Sequence, residues 1–162
     1  MPLTDADHEP MRLAIQASRD AAGAGNTPFG ATLVSSAGAL LWTAQNNQVT
    51  SGDCTGHAEL VLVREARAAL GAEAVRGGTV YASGEPCAMC CGAMFWAGIR
   101  RVVFAASTAD IAAALGGDTL PIRSAQVFAE ACPPVQVDGP LQADDAIAVL
   151  QEAARGLAGR VR

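Results

Sequence analysis

Helical and strand-like spacings of apolar residues alternate along the chain. From Asp7 to Ala22 the apolar residues recur at helical spacing, and glycines at positions 23 and 25 end that segment. Two short apolar runs, Ala31–Ser36 and Ala39–Ala44, meet at Ala37-Gly38, which predicts a β-hairpin. A polar loop follows over Gln45–Gly56. The first part of the chain is therefore expected to form a helix, a hairpin and a loop.

The rest of the chain alternates predicted helices with predicted strands. The helices are His57–Leu70, Cys87–Ala97, Ile111–Leu115 and Ala143–Leu157, and the strands are Thr79–Ser83, Arg101–Ala106 and Pro133–Gly139. This alternation predicts one α/β domain over residues 1–162, with helices on both faces of a sheet whose later strands are parallel. In such sheets, catalytic groups gather where strand ends meet helix N-termini.

The composition is that of an ordinary folded protein. Of the 162 residues, 51% are hydrophobic and 17% are charged, which suits one continuous core. No apolar run approaches the roughly 18 residues that a membrane-spanning helix needs. The segment Met1–Pro10 is polar and acidic, unlike a signal peptide. We therefore expect a cytoplasmic protein without a membrane partner.

The charge balance bears on the class of substrate. Eleven basic residues, none of them lysine, stand against 16 acidic residues and give a net charge of −5. Nucleic-acid binding usually depends on lysine and arginine side chains that neutralise phosphates. The balance disfavours a polyanionic partner and favours a small, neutral substrate.

The cysteines indicate a metal or redox site. Five are present, at positions 54, 87, 90, 91 and 132. An odd number, with three in one short segment, is not typical of a secreted disulfide framework. In an intracellular chain such a cluster indicates metal binding or redox chemistry first.

Three side chains near two predicted helix starts form a candidate zinc site. Cys87 and Cys90 are three residues apart, so on a helix they share a face and can hold one ion. The positive end of the helix dipole stabilises the thiolates that zinc requires. With His57 as a third ligand, the fourth tetrahedral position is left for water, which is typical of a catalytic zinc. We expect one Zn²⁺ per chain.

Glu59 is the candidate proton carrier beside this site. Residues two apart do not share a face of a regular helix, so His57 and Glu59 can act together only at the first turn. There, Glu59 could take a proton from a water molecule and deliver it to a ring nitrogen and a leaving amine. The reaction would release ammonia from an amidine-like ring carbon.

Plainer interpretations of these residues compete. Cys87 and Cys90 could form a thioredoxin-like redox pair, although that leaves His57 unexplained. A closed structural zinc site would need a fourth ligand, either Cys54 or Cys91. Otherwise Cys91 and the cysteine at 132 are expected as small core residues, and the histidine at position 8 as a solvated side chain.

The paired motifs resemble those of the cytidine deaminase superfamily. The motifs are His57-Ala58-Glu59 and Pro86-Cys87-Ala88-Met89-Cys90, and they match the paired signature of zinc deaminases. Further segments resemble the branch that contains bacterial guanine deaminases and tRNA adenosine deaminases. They are Pro28-Phe29-Gly30-Ala31, Asn46, Val80-Tyr81 and Arg101-Val102-Val103-Phe104. The resemblance covers roughly residues 8–120.

The resemblance implies a fold and an assembly. The fold is a three-layer α/β/α cytidine deaminase-like fold with a five-stranded mixed sheet, and a homodimer is expected. It also implies substrate contacts from Phe29, Asn46, Ala58, Glu85 and Trp96. Phe29 would wall a planar ring and Asn46 would hydrogen-bond it. The alternatives are a core role for Phe29 and Trp96 and a turn role for Asn46.

Asp110 is the second candidate catalytic residue. Its segment, Ala105 to Asp110, resembles the part of guanine deaminases that brings a second carboxylate to the base. A carboxylate can accept hydrogen bonds from the ring N–H and the exocyclic amine of guanine. Asp110 could instead cap the helix that starts near Ile111.

These features predict a zinc-dependent hydrolytic deaminase of a free nucleobase or similar small heterocycle, with guanine favoured. Isoguanine, cytosine, pterins and triazines stay open, because no aromatic residue follows Phe128, where guanine deaminases often contribute one to the site. A tRNA adenosine deaminase is the alternative, and a non-catalytic zinc module would require a closed four-ligand site. Gly56, where relatives often have alanine, is expected to reshape the floor of the pocket.

Overall fold

A five-stranded mixed sheet forms the middle layer of the structure, a computed structural model that describes residues 2–159, with side chains up to residue 156. The strands are β1 (Gly30–Val34), β2 (Leu40–Gln45), β3 (Thr79–Gly84), β4 (Arg101–Ala106) and β5 (Gln136–Asp138), in the order β2-β1-β3-β4-β5. Strand β1 is antiparallel to both β2 and β3, whereas β3, β4 and β5 run parallel. The predicted hairpin and the predicted parallel strands are confirmed.

Eight helices accompany the sheet in the described part of the chain. They are α1 (His8–Gly23), α2 (Gln48–Ser51), α3 (Ala58–Leu70), α4 (Ala72–Val75), α5 (Ala88–Ala97), α6 (Thr108–Leu115), α7 (Ser124–Val127) and α8 (Ala143–Gly159), preceded by a 3₁₀ turn over Asp5–Asp7. None of these helices has both the length and the apolar character needed to cross a membrane.

The three central strands, β1, β3 and β4, are buried on both faces, which gives three layers. Consecutive residues of a strand point to opposite faces, so Val80 joins the cluster beneath α3 and α5, while Tyr81 joins the cluster beneath α1 and α8. Val102 and Val103 divide between the two clusters in the same way. The central strands therefore read as continuous apolar runs, as expected for strands covered on both sides.

Helix α1 lies unusually close to the sheet at Gly30. A Cβ atom added there would collide with the carbonyl oxygen of Ala14 and would lie 2.5 Å from the backbone nitrogen of Ser18. The first residue of β1 must therefore be glycine. The close packing of α1 fixes the start of β1 in place, and with it the position of Phe29, the residue just before Gly30.

Several local predictions need correction. The polar loop contains the short helix α2, and α4 and α7 were not predicted, because single-turn helices carry too little apolar period to detect. Helix α6 begins at Thr108 rather than Ile111, since a Ser107 capping box opens it. The edge strand shrinks to Gln136–Asp138, the residues that pair with β4. The cysteine at position 132, expected in the core, is exposed.

A buried charged network ties the N-terminus to the sheet. Asp7, only 3% exposed, accepts a 2.6 Å hydrogen bond from the Tyr81 hydroxyl and another from Arg101 Nη1. The Arg101 guanidinium also donates to Asp138 at 2.7 Å. Burial would raise the pKa of Asp7, but the hydrogen bonds from Arg101, Tyr81 and the Thr4 backbone hold it well below its usual range.

Replacing Asp7 by asparagine should destabilise the protein in a pH-dependent way. Because Asp7→Asn leaves buried Arg101 without one of its partners, we expect the free energy of unfolding to fall by about 3 kcal/mol at pH 7. Asp7 has a depressed folded-state pKa, so its stabilisation is complete above its unfolded pKa of about 3.9 and declines as the pH falls below that value. Urea unfolding at several pH values measures the difference.

The matched control is Glu9→Gln, which breaks a fully exposed ion pair with Arg12 and should change stability only marginally. A loss of stability for Asp7→Asn that is equally large at pH 3 and pH 7 would contradict the assigned role of the charge.

Candidate metal and active site

Two helix N-termini meet at one edge of the sheet and carry the predicted metal ligands. His57 is the N-cap of α3 and Cys87 the N-cap of α5, and both have extended backbone conformations. Cys90 lies in the first turn of α5. The His57 Nδ1 atom is 3.6 Å from each sulfur, and the two sulfurs are 3.6 Å apart. The three predicted ligands therefore form one compact triangle.

The triangle has the dimensions of a tetrahedral zinc site. Sulfur ligands at about 2.3 Å and a nitrogen ligand at about 2.0–2.1 Å from a tetrahedral ion lie about 3.5–3.8 Å from one another. The observed separations of 3.6 Å match that spacing. In the described part of the chain, His57, Cys87 and Cys90 form the only cluster of such groups that could hold a metal ion. They form a zinc-binding triad.

The surroundings prepare one thiol for metal binding. Hydrogen bonds from Cys90 and His57 lower the pKa of Cys87 to about 4, against the effect of burial. The hydrogen bond to Cys87 and the burial of Cys90 raise the pKa of Cys90 instead. A divalent ion must therefore displace the Cys90 proton, so zinc affinity should weaken as the pH falls.

The remaining cysteines near the site do not close it. Cys54 is exposed and lies outside the metal-binding cluster, and the buried Cys91 sulfur donates to the carbonyl oxygen of Pro86. A fourth protein ligand is therefore lacking among the described residues. The triad instead borders a cavity through His57 and Cys87, which is the open arrangement of a catalytic zinc.

Glu59 lies beside the triad, in the first turn of α3. Its side chain is 5% exposed, and its Oε2 atom is 3.4 Å from the Cys90 sulfur. Burial raises the pKa of this carboxyl group above its ordinary value. His57 stands just before the helix and Glu59 just inside it, so both lie at the start of α3. Glu59 thus borders the same cavity as His57, with a proton affinity suited to acid–base chemistry.

The cavity above the triad is large and acidic. Its volume is about 1110 Å³, and it extends from the triad to the ends of α1 and α8 and to the loop over residues 116–122. Of the charged side chains up to residue 156, Glu59, Glu85, Asp118 and Glu152 line it, against one arginine, Arg19. The space is ample for a bicyclic ring, and the charges favour a neutral or cationic occupant.

The predicted substrate contacts are distributed unevenly around this cavity. Phe29 and Glu85 line it. Ala58 and Asn46, at 0% and 1% exposure, are buried and are not among its lining residues. Trp96 is 81% exposed on the outer face of α5 and does not line the cavity. The structure therefore brings two of the five side chains to the cavity surface.

Phe29 owes its position to Gly84, the last residue of β3. A Cβ atom added at Gly84 would lie 2.8 Å from Phe29 Cε1 and 2.9 Å from Ile111 Cδ1. The missing side chain lets the phenyl ring pack against the end of the strand. Phe29 thus forms an apolar wall, in accord with the predicted role.

Asn46 engages a neighbouring side chain that sequence reasoning did not single out. Its amide donates to Gln48 Oε1 at 2.8 Å, and its Oδ1 accepts from the Gln48 backbone at 3.1 Å. Gln48 itself lines the cavity. Asn46 therefore orients a polar side chain toward the site from a buried position.

The sequence singled out Asp110 as the second carboxylate of the site, but a different aspartate, Asp118, lies at the cavity. Asp110 accepts hydrogen bonds from the Ser107 backbone at 2.9 Å and the Ser107 hydroxyl at 2.6 Å, and it does not line the cavity that holds the triad. Asp118 does line it, from the loop after α6. A Ser-x-x-Asp capping box was the available signal for Asp110, whereas nothing local marks Asp118.

Gly56 is required by close packing. A Cβ atom there would collide with Asn47 Oδ1 and lie 3.0 Å from the Gln48 backbone nitrogen. The loop before His57 is therefore tightly packed, and the glycine makes this possible.

Comparisons with known proteins agree with this geometry. Residues 4–106 match the model of the cytidine and deoxycytidylate deaminase zinc-binding region. A Schizosaccharomyces pombe protein named "Probable cytosine deaminase" is 36% identical over 152 residues, covering 90% of each chain. The guanine deaminase of Bacillus subtilis is 45% identical over 87 residues, which are 54% of this chain and 55% of that protein.

A solved structure shares the fold over almost the whole chain. It is the protein NE0047 in complex with 2,6-diaminopurine, with a TM-score of 0.81 and 26% identity, covering 95% of this chain and 84% of that chain. A structural relative has thus been crystallised with a nucleobase analogue.

Removing one sulfur ligand should remove the metal. We expect Cys87→Ala to lose its zinc, because two remaining ligands do not hold the ion against dilution and dialysis. Elemental analysis of the purified, dialysed protein gives the zinc content per chain. Cys54→Ser, which changes an exposed cysteine outside the triad, should keep one equivalent. One equivalent of zinc in Cys87→Ala would refute the ligand assignment.

Proposed function

The chain belongs to the cytidine and deoxycytidylate deaminase zinc-binding family, and from this we propose that it deaminates a free nucleobase, with guanine as the preferred ring. It is a nucleobase deaminase of the zinc type, with His57, Cys87 and Cys90 as the metal-binding triad. The observation that carries the free-base proposal is the acidic cavity that opens directly onto His57 and Glu59.

In the proposed reaction Glu59 moves the protons. Bound zinc supplies a Lewis acid that makes water a better nucleophile. Glu59 accepts a proton from the attacking water and passes it to a ring nitrogen, and a second transfer through the same carboxylate lets the amine leave as ammonia. For guanine, water is consumed and xanthine and ammonia are formed. The elevated pKa of the buried Glu59 suits both the acceptance and the donation of a proton.

The charges at the cavity support a small substrate over tRNA. Among the side chains that the structure describes, four carboxylates and one guanidinium line the cavity, and the whole chain carries a net charge of −5 without a lysine. A tRNA substrate would bring its phosphates to this acidic surface without the cations that usually bind them. A neutral free base meets no such repulsion.

Guanine is favoured by the likeness to the Bacillus subtilis guanine deaminase and by the presence of Asp118 at the cavity. A carboxylate can accept hydrogen bonds from the ring N–H and the 2-amino group of guanine, a pair of donors that adenine does not present. NE0047 binds 2,6-diaminopurine, an aminated purine, in the same fold.

Cytosine is the second candidate, because the Schizosaccharomyces pombe relative matches along 90% of the chain. Isoguanine, pterins and triazines share the same aminated ring chemistry. The expected homodimer stays a prediction from the family resemblance, and sedimentation velocity would test it.

Ammonia release from a panel of substrates tests the function. The panel holds guanine, cytosine, isoguanine, adenine, guanosine, a triazine and a tRNA anticodon stem-loop. We expect release from guanine above all, and loss of turnover on the order of 10²–10⁴-fold in Glu59→Gln, because that variant removes the proton carrier and keeps the zinc ligands. Release from the stem-loop alone would overturn the free-base proposal, and substantial turnover by Glu59→Gln would refute its role.

A pair of aspartate variants tests which second carboxylate faces the substrate. Asp118→Asn should reduce kcat/KM for guanine about ten- to a hundredfold, because a hydrogen bond to a charged group contributes about 1.5–3 kcal/mol. Asp110→Asn should leave kcat/KM within about twofold, since that carboxylate caps α6 outside the cavity. The opposite order of effects, at equal zinc content, would return the catalytic role to Asp110.

A further inference from the structure

The loop over residues 116–122 forms one side of the cavity, but its residues after Gly116 make no hydrogen bonds with other described residues that hold it there. Gly116, Asp118, Thr119, Leu120 and Ile122 line the cavity. From residue 117 to residue 122, no backbone or side-chain group hydrogen-bonds to another residue in the part of the chain that the structure describes. The loop also opens with two glycines of positive φ. Its position therefore depends on how its two ends are held.

One buried carboxylate joins the two helices that flank this loop, at the first residue of each. Glu85 Oε2 accepts from the Thr108 backbone at 3.0 Å and the Thr108 hydroxyl at 2.9 Å, at the start of α6. It also accepts from Arg123 Nε at 2.7 Å, directly after the loop. Glu85 Oε1 accepts from the Ser124 backbone at 3.1 Å and the Ser124 hydroxyl at 3.0 Å, at the start of α7.

These five hydrogen bonds occupy the whole carboxylate. Two oxygens offer about four lone-pair sites, so Glu85 has no capacity left to accept from a substrate. Its side chain is 2% exposed, whereas that of Arg123 is 45% exposed. Although Glu85 borders the cavity and was expected to contact the ring, its partners are protein groups from the two helices that flank the loop.

We propose that Glu85 is a positioning residue that ties the start of α6 to the start of α7, and so holds the loop over residues 116–122, with Asp118, in place over the cavity. The role of Asp118 in this proposal rests on the proposed function, whereas the positioning of the loop through Glu85 does not. Glu85 also lies two residues before Cys87, so one short segment joins the loop to the metal-binding triad.

The proposal predicts how KM and kcat change when the hydrogen bonds to Glu85 are lost. When a binding-competent conformation is only partly populated, the apparent dissociation constant rises by the inverse of that fraction. Once substrate has bound and drawn the loop into place, the proton transfers at Glu59 are unchanged. Weakening these hydrogen bonds should therefore raise KM and leave kcat close to its original value.

Glu85→Gln is the sharpest test. A glutamine side chain has one amide oxygen, which can accept either from Thr108 and Arg123 or from Ser124. Its amide N–H groups then face the other set of donors. We expect faster amide hydrogen exchange in α6 and α7, a KM for the preferred base raised about tenfold, kcat within about twofold, and one equivalent of zinc. Glu73→Gln is the matched control, because Glu73 also pairs with an arginine but lies exposed on α4, away from the cavity.

A milder variant keeps the test decisive if Glu85→Gln folds poorly. Ser124→Ala removes one hydrogen bond at the α7 end and leaves Glu85, Arg123 and Thr108 in place. Its amide exchange rates in α6 and α7 should rise by less than those of Glu85→Gln, with unchanged zinc content.

The outcomes separate this proposal from the proposed function. Unchanged amide exchange in α6 and α7 in both variants would overturn the proposal, whatever the activity. A fall in kcat or zinc content without faster exchange would likewise overturn it, since Glu85 would then act on the metal site itself. Faster exchange in a protein that deaminates no base would support the positioning role of Glu85 while refuting the proposed function.

Discussion

The meeting of two helix N-termini at the end of β3 is the constraint on which the site depends. His57 precedes α3 and Cys87 precedes α5, so each ligand sits in the short extended stretch where a loop or strand turns into a helix. The helix dipoles place partial positive charge at this point, which favours a thiolate. The same geometry puts Cys90 on the first turn of α5, within 3.6 Å of both other ligand atoms.

Two buried glutamates near this point show how environment divides their roles. Glu59 has few donors around its carboxylate, and burial raises its pKa. For Glu85, burial acts in the same direction, but hydrogen bonds from Arg123, Thr108 and Ser124 outweigh it and lower the pKa to about 2. A carboxylate whose pKa is raised can accept a proton and release it again, whereas one held as an anion can organise neighbouring chain segments.

The sheet supplies the rigidity that both roles need. Strands β3 and β4 are covered on both faces, and the Asp7–Arg101 pair ties the N-terminal turn to β4. Gly30 and Gly84 let α1 and the Phe29 ring approach the sheet more closely than any other residue would allow. The loop over residues 116–122 is far less constrained than the sheet, because the hydrogen bonds to Glu85 that position it are made by the two flanking helices.

The sequence by itself determined the metal triad, the position of Glu59 beside it and the order of the main helices and strands. These rest on short-range relations, such as the spacing of Cys87 and Cys90 and the apolar periods of α3 and β4, which the chain expresses locally. Only the tertiary structure placed Asp118, and not Asp110, at the cavity and gave the Glu85 carboxylate its hydrogen-bond partners in α6 and α7. Asp110 is consumed by a local cap, whereas Asp118 and Glu85 gain their surroundings from segments more than 20 residues away. Such long-range partners depend on packing, which no local pattern encodes.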